Sequence, residues 1–329
     1  MRGVAVFALA LLLGGCGATS PGVKVAATPS PISPSPSLPA TPSGVPVSID
    51  WTTTRVVTID GVTGGTMAPD GSRVYSRSAV TARDGSQLGA VTPAGKIWWR
   101  WADDSRHLCA VYPPGLDLNG GATPVATALF TTLPGSAPAE IATAGSNYAQ
   151  SGSTVLACSY SRRTATVGET CVMFTCETWT IDLLTHQVVG HARFDSQTPT
   201  TAVVSPDGTL MAVSDAVGAN LYETYGGKLV GTLKDVRVDS FSGDSKLVLV
   251  EGGGSSSARL LEWRTGNRVA VLPPGQAVAY LAEPGGSRLA VAIGVSGATA
   301  DGTVPPADIL VVGGDGSVVT IARGVVPFF

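Results

Sequence analysis

Residues 203–216 read VVSPDGTLMAVSDA, two apolar runs separated by Ser-Pro-Asp-Gly. Val203, Val204, Leu210, Met211 and Val213 suit a pleated, buried surface. Pro206 presets φ at the first corner of a turn, Asp207 can bond its own backbone, and Gly208 accepts positive φ. The pattern predicts two short strands joined by a tight hairpin. Variants recur at 67–76 (MAPDGSRVYS), 101–111 (WADDSRHLCAV), 149–159 (AQSGSTVLACS), 240–250 (SFSGDSKLVLV) and 282–292 (AEPGGSRLAVA), roughly every 34 to 55 residues. Strand-rich repeats of that period point to a solenoid, a propeller or an array.

A second strand–turn–strand phrase alternates with the first. It stands at 180–194 (TIDLLTHQVVGHARF), 220–234 (NLYETYGGKLVGTLK), 259–272, 79–92 and 309–322, more loosely at 126–143, and at the N-terminal end as SIDWTTTRVVTID (48–60). Two alternating hairpins make one four-stranded meander per repeat. On these residues the chain resembles the WD-repeat-like β-propellers of bacteria over positions 48 to 323, although it has no Trp-Asp dipeptide. The resemblance implies an all-β fold, a single β-propeller of four-stranded antiparallel meanders, and is nearly silent on function. A ring must close to leave no exposed edge. The expectation is seven blades, the seventh shared between 48–60 and GVVPFF (324–329), with a six-bladed ring plus an extra N-terminal hairpin as the alternative.

Composition agrees with an all-β domain: 41 glycines, and no sustained helical period beyond the extreme N-terminus. Charged residues make up 14% of the chain, against about 25% in typical domains. A net charge of −3 with no basic run argues against nucleic acid as a partner.

The N-terminal stretch MRGVAVFALALLLGGC has one positive charge at Arg2, an apolar run over Val4–Leu13 and then small residues. It reads as a secretory signal peptide over 1–15. Leu13-Gly14-Gly15-Cys16 resembles the bacterial lipobox, which implies a lipidated Cys16 as the first residue of the mature chain, anchored at the extracytoplasmic side of the cell membrane; plain secretion is the alternative. Residues 16–46, rich in Pro, Ser and Thr, read as an extended tether reaching at most about 90 Å at ~3.1 Å per residue. The propeller is expected over 47–329.

Four further cysteines, Cys109, Cys158, Cys171 and Cys176, suit two disulfides in an exported chain, with three connectivities open. Three of them flank 159–170, so one bridge is expected to staple that segment; strands at 155–164 and 170–180 would set Cys158 opposite Cys176. Metal binding competes as a reading, but there is no Cys-x2-Cys pair and His107, His186 and His191 are scattered.

Catalytic motifs are missing: no Gly-x-Ser-x-Gly, His-Glu-x-x-His, phosphate loop or EF-hand loop. Trp98, Trp99 and Trp101 read as packing residues, and Asp103-Asp104 as turn chemistry. In a meander the first and third turns share one face and the second turn lies on the other. The insertions at 112–124, 159–170 and 294–308 are assigned to the second turns, which places Tyr112, Asp117, Asn119, Tyr160, Arg162, Arg163 and Asp301 on one decorated face as candidate binding residues. The leading functional reading is a non-enzymatic module, with no cofactor or metal, for an envelope protein or cell-wall glycan. The alternative is a hydrolase, lyase or quinone-dependent dehydrogenase with its site at the channel mouth.

Overall fold

The computed structural model describes residues 46–59, 65–76, 79–91, 99–112, 128–136, 139–140, 153–169, 175–195, 201–252, 255–294 and 306–328. All lie in the compact unit 38–329. The signal sequence and Cys16 lie outside the described residues, as do 17–45 of the tether.

The strands follow the alternating hairpins. An N-terminal hairpin joins β1 (Pro46–Asp50) to β2 (Arg55–Thr58). Five meanders follow. They comprise β3 (Thr66–Met67), β4 (Arg73–Ser76), β5 (Ala79–Ala82) and β6 (Gln87–Ala90); and β7 (Arg100–Trp101), β8 (Leu108–Tyr112), β9 (Ala128–Thr132) and β10 (Ala139–Glu140). The third holds β11 (Ser153–Ser159), β12 (Thr164–Glu169), β13 (Thr175–Asp182) and β14 (Val188–Asp195). The fourth holds β15 (Thr201–Val204), β16 (Leu210–Ser214), β17 (Gly218–Glu223) and β18 (Leu229–Lys234). The fifth holds β19 (Val236–Phe241), β20 (Leu247–Gly252), β21 (Ser255–Glu262) and β22 (Arg268–Val271). The last strands are β23 (Gln276–Ala282), β24 (Leu289–Gly294), β25 (Ala307–Val312) and β26 (Val318–Pro327).

The molecule is an all-β propeller, and the expected blade count is corrected. Among the described residues there are five four-stranded blades, neither seven nor six, and the remaining strands form one six-stranded sheet in the order β2-β1-β26-β25-β24-β23. No separate blade is shared between the termini. The cause is the length of β26. Its first part pairs antiparallel with β25, through Val318↔Val312 and Val319↔Val311. It then runs on past Gly324, at φ 60°, to pair in parallel with β1 through Val326↔Pro46 and Pro327↔Val47. Residues 324–327 therefore extend an existing strand rather than begin an inner one.

The core is a ring of seams between neighbouring sheets rather than one central mass. Trp99 and Trp101 pack with Tyr75, Val80 and Leu108 between the first two blades, as expected of packing tryptophans. Leu221, Phe241, Val248 and Trp263 fill the seam between the fourth and fifth. The N-terminal hairpin is itself clamped. Arg83 pairs with Asp50 at 3.3 Å, and Arg288 donates to Thr54 Oγ1 while lying over the Trp51 ring.

Candidate ligand channel

The first turn of the fourth meander follows the Ser-Pro-Asp-Gly chemistry. At 205–208 the Gly208 amide donates to the Ser205 carbonyl at 2.8 Å, and Asp207 Oδ1 accepts from the Ser205 and Thr209 hydroxyls. Gly208 takes φ 72°. The first turns form a rim on one face of the ring, and four links tie turns to their neighbours, three through side chains and one through the backbone. The Asp70 amide donates to Ser105 Oγ at 3.0 Å. Asp103 accepts from the Tyr160 amide at 2.7 Å, from Ser159 Oγ at 2.8 Å and from Ser161 Oγ. Arg162 pairs with Asp207 at 3.0 Å, and the Asp244 amide donates to the Gly286 carbonyl at 2.8 Å.

This geometry corrects the sequence reading of 149–159 and 159–170. The inner strand is β11, and residues 160–163 are the first turn, with the Arg163 amide donating to the Tyr160 carbonyl at 3.3 Å. Tyr160, Arg162 and Arg163 therefore stand together on the short-turn rim, not on the second-turn face. Tyr160 also stacks on His107, with ring centroids 3.7 Å apart. Tyr112 ends β8, and nothing of its side chain is described; Asp117, Asn119 and Asp301 lie outside the described residues. Cys158 faces Ala165 in the β11–β12 hairpin, not Cys176, and forms a disulfide with Cys109 of the neighbouring blade, with Cα atoms 6.4 Å apart. The bridge joins two blades instead of stapling 159–170. Cys171 lies outside the described residues, as does the side chain of Cys176.

Inside the rim lies a cavity of about 850 Å³ lined by β3, β7, β11, β15 and β19, the first strands of the five four-stranded blades, and by β23 of the six-stranded sheet. One end is the turn rim itself, with Pro69, Asp103, Pro206, Asp207, Asp244 and Pro284. Deeper in the channel three polar side chains line the wall: Arg100 from β7, Asp239 from β19 and Tyr280 from β23. They lie three or four residues before their turns, roughly 10–13 Å below the rim at ~3.3 Å per residue.

Each is placed by its strand. Arg100 alternates with buried Trp99 and Trp101, so it must point the opposite way, into the channel. Asp239 occupies a β-bulge, where the β19–β20 register skips between Val238 and Ser240. Its Oδ1 accepts from Arg237 Nε at 2.7 Å, and Arg237 also reaches Glu251 at 3.1 Å. Its Oδ2 is buried without a hydrogen-bond partner.

Electrostatics separate the channel from the rim. Burial pushes the Asp239 carboxyl above its ordinary value; Arg237 opposes that only in part, and Glu251 adds to it. Burial also raises Tyr280, reinforced by the charge of Asp239. The enclosing channel walls lower Arg100 even though its side chain is open to the channel, and Tyr280 partly offsets the shift. Rim carboxylates go the other way. Burial alone would raise Asp104 and Asp207, but donors from His107 and Arg106, and from Ser205 and Thr209, hold both below the ordinary value. Among the described residues, no group of three or more His, Cys, Asp or Glu is placed to hold a metal ion.

Arg100, Asp239 and Tyr280 escaped the sequence reading. The available signal was a charged residue between apolar neighbours on an inner strand, as in Trp99-Arg100-Trp101.

No protein-family model matches the chain, and no curated protein matches it. It is similar to the β-propeller domain of Cps50 (Swd1) from Myceliophteria thermophila, at 14% identity and TM-score 0.47, covering 75% of this chain and 86% of that one. It is similar also to TolB from Acinetobacter baumannii, at 15% identity and TM-score 0.45, covering 80% of this chain and 65% of that one. The assignment as a β-propeller rests on this chain's own ring of meanders, independently of those likenesses.

Proposed function

We propose that the chain is a lipid-anchored, extracytoplasmic binding module, non-enzymatic, held at the cell membrane through Cys16, whose propeller receives an envelope partner at the rim-side mouth of its channel. The observation that carries the reading is the cavity of about 850 Å³, of ordinary ligand-site size and walled by rigid inner strands. A scaffold of this kind lowers the entropic cost of binding because the site exists before the partner arrives. The lipobox-like Leu13-Gly14-Gly15-Cys16 and the Pro-rich tether support placement outside the cytoplasm. The partner class is an envelope protein or a cell-wall glycan.

The test is site-specific photo-crosslinking in native cells from two faces. One set of probes replaces Pro69 and Pro284 on the rim, and the other replaces Val217, exposed in the second turn of the fourth blade. A partner captured from the rim and not from Val217 is the expected result. Capture from Val217 alone moves the site to the opposite face, and capture from neither removes the reading. Fractionation of Cys16→Ser, expected to leave the membrane pellet, tests the anchor separately.

A further inference from the structure

Six sheets in a ring meet at six seams, and the seams are not held alike. Five of them carry a buried or partly buried bond from one sheet to the next. Trp101 Nε1 donates to the Thr66 carbonyl at 2.9 Å between the first and second blades. The Cys109–Cys158 disulfide joins the second blade to the third. Thr166 Oγ1 donates to the Gly208 carbonyl at 3.2 Å between the third and fourth, and the Val238 amide to Ser214 Oγ at 3.0 Å between the fourth and fifth. The Ala277 amide donates to Glu251 at 3.0 Å between the fifth blade and the six-stranded sheet.

The closing seam, between the six-stranded sheet and the first blade, differs. The two sides are joined by the ion pair of Arg83 with Asp50 at 3.3 Å, which is partly open to solvent. A pair of that kind contributes little to stability. The apolar packing at this seam is Ile59, Met67 and Val74 with Phe328 against them, a smaller cluster than at any of the other five among the described residues. The N-terminal hairpin flanks the seam but belongs to the sheet. Val47, Ile49 and Trp51 are buried with Ala290, Ile309 and Val311, and Arg288 donates to Thr54 Oγ1 at 2.6 Å. The weak plane therefore runs between the hairpin and the first blade.

Local opening of a native protein starts where buried contacts and enclosed hydrogen bonds are fewest. A ring with five bonded seams and one lightly joined seam parts at the last. Met67 belongs both to the seam cluster and to the wall of the cavity, so parting this seam opens the side of the channel between β23 and β3. The chain itself crosses here from Ile59 to Thr66, which keeps the two sides together. We infer that the propeller is a split ring, whose six-stranded sheet parts from the first blade at the Arg83–Asp50 pair and gives the channel a lateral entrance. The hairpin stays with the sheet and forms one lip of that entrance. The inference stands on the seams alone and does not need the envelope-partner reading.

Thiol labelling of buried cysteine probes in the full chain, read peptide by peptide with mass spectrometry, tests it. Val74→Cys reports the closing seam, Met211→Cys the seam between the third and fourth blades, and Val248→Cys that between the fourth and fifth; all three side chains are fully buried. In native buffer Val74→Cys should react at least about 10-fold faster than either of the others, the ratio for a difference of one or two hydrogen bonds in the opening step. Adding Asp50→Asn or Arg83→Gln should speed Val74→Cys by a further ~2- to 5-fold, as suits a partly exposed pair, and leave Val248→Cys unchanged. Ser214→Ala, which removes the acceptor of the Val238 amide, should speed Val248→Cys and leave Val74→Cys unchanged. Circular dichroism establishes that each variant is folded, and Ile59→Cys is the second probe of the closing seam should Val74→Cys destabilise its blade. Equal labelling of all probes would make opening global and overturn the inference. Fast labelling of Val74→Cys that ignores both Asp50→Asn and Arg83→Gln would overturn it too, because β4 would then be fraying by itself. Failure to capture a partner from the rim leaves the split ring standing, and uniform labelling leaves the rim reading standing.

Discussion

Asp207 and Asp239 are both partly buried carboxylates facing the same cavity, and burial is the leading influence on each. Their titration is displaced in opposite directions. Asp207 sits in a turn that supplies Ser205, Thr209 and, from the preceding blade, Arg162. Asp239 sits on a bulge and receives one side-chain donor group, that of Arg237. The number of donors, not the depth of burial, decides the sign. The rim is thus a place where polar groups are used up in holding blades together. In the channel wall beneath it, Asp239 Oδ2 stays buried without a hydrogen-bond partner. The same contrast separates Arg162, committed to Asp207, from Arg100, committed to nothing among the described residues.

The hardest blow to the structural side of this contrast is removal of the Cys109–Cys158 bridge. The bond closes a 49-residue separation between two blades. Chain-entropy reasoning assigns a loop of that length about 4 kcal/mol. The Cys109→Ser/Cys158→Ser double variant should show that loss as a lower urea midpoint. A midpoint unchanged from the parent would mean that the seam between the second and third blades holds without its covalent tie.

Next comes a matched pair, Asp103→Ala on the rim and Arg100→Gln in the channel. Asp103 gathers the Tyr160 amide and the hydroxyls of Ser159 and Ser161, so its removal strands several donors and should cost about 2 to 3 kcal/mol. Arg100→Gln breaks no hydrogen bond among the described residues, and its effect on stability should stay within about 0.5 kcal/mol. Equal losses in urea denaturation would erase the distinction between the two regions.

Much of the rim was legible from the chain, and most of the channel was not. The Ser-Pro-Asp-Gly hairpins were readable because turn chemistry is local: Pro206, Asp207 and Gly208 carry their own geometry. The turn at 160–163 escaped because Arg163 occupies the left-handed position, at φ 58°, that Gly208 fills elsewhere. The small residues at 151–153 drew the turn upstream of its true place. The blade count failed for a comparable reason, since nothing local in Val318–Pro327 says that one strand serves two neighbours. Arg100 and Asp239 meet only because closure of the ring sets β7 opposite β19, a long-range relation that no repeat period contains. Length variation in the insertions was the more conspicuous signal, and it pointed to the other face.

Acidity sharpens the contrast without removing an atom from the fold's framework. The native carboxyl of Asp207 lies below its unfolded value. Its stabilisation is therefore fully present above the ordinary carboxylate pKa and is lost as pH falls through the lowered native value. Asp239 lies above its unfolded value. The native state then holds the extra proton, so stability falls as pH rises from the ordinary value through the raised one. Urea midpoints of the parent, Asp207→Asn and Asp239→Asn, taken from about pH 3 to about pH 7, should give differences of opposite slope. The parent gains on Asp207→Asn with rising pH and loses ground to Asp239→Asn. Slopes of the same sign would remove the electrostatic basis for separating rim from channel.

The smallest expected effect is that of Arg162→Ala. Its guanidinium meets Asp207 at 3.0 Å, but the side chain is half exposed, and water screens the pair. The loss in stability should be below about 1 kcal/mol and should shrink further in high salt. Arg162 and Arg100 are thus arginines that line one cavity roughly 10 Å apart in depth, at ~3.3 Å per strand residue. If Arg162→Ala left the urea midpoint untouched at low and high salt alike, the Arg162–Asp207 pair would contribute nothing to joining the third blade to the fourth. If it lowered the midpoint slightly, and less so in high salt, the rim arginine is occupied in holding those two blades together, whereas Arg100 makes no such link among the described residues.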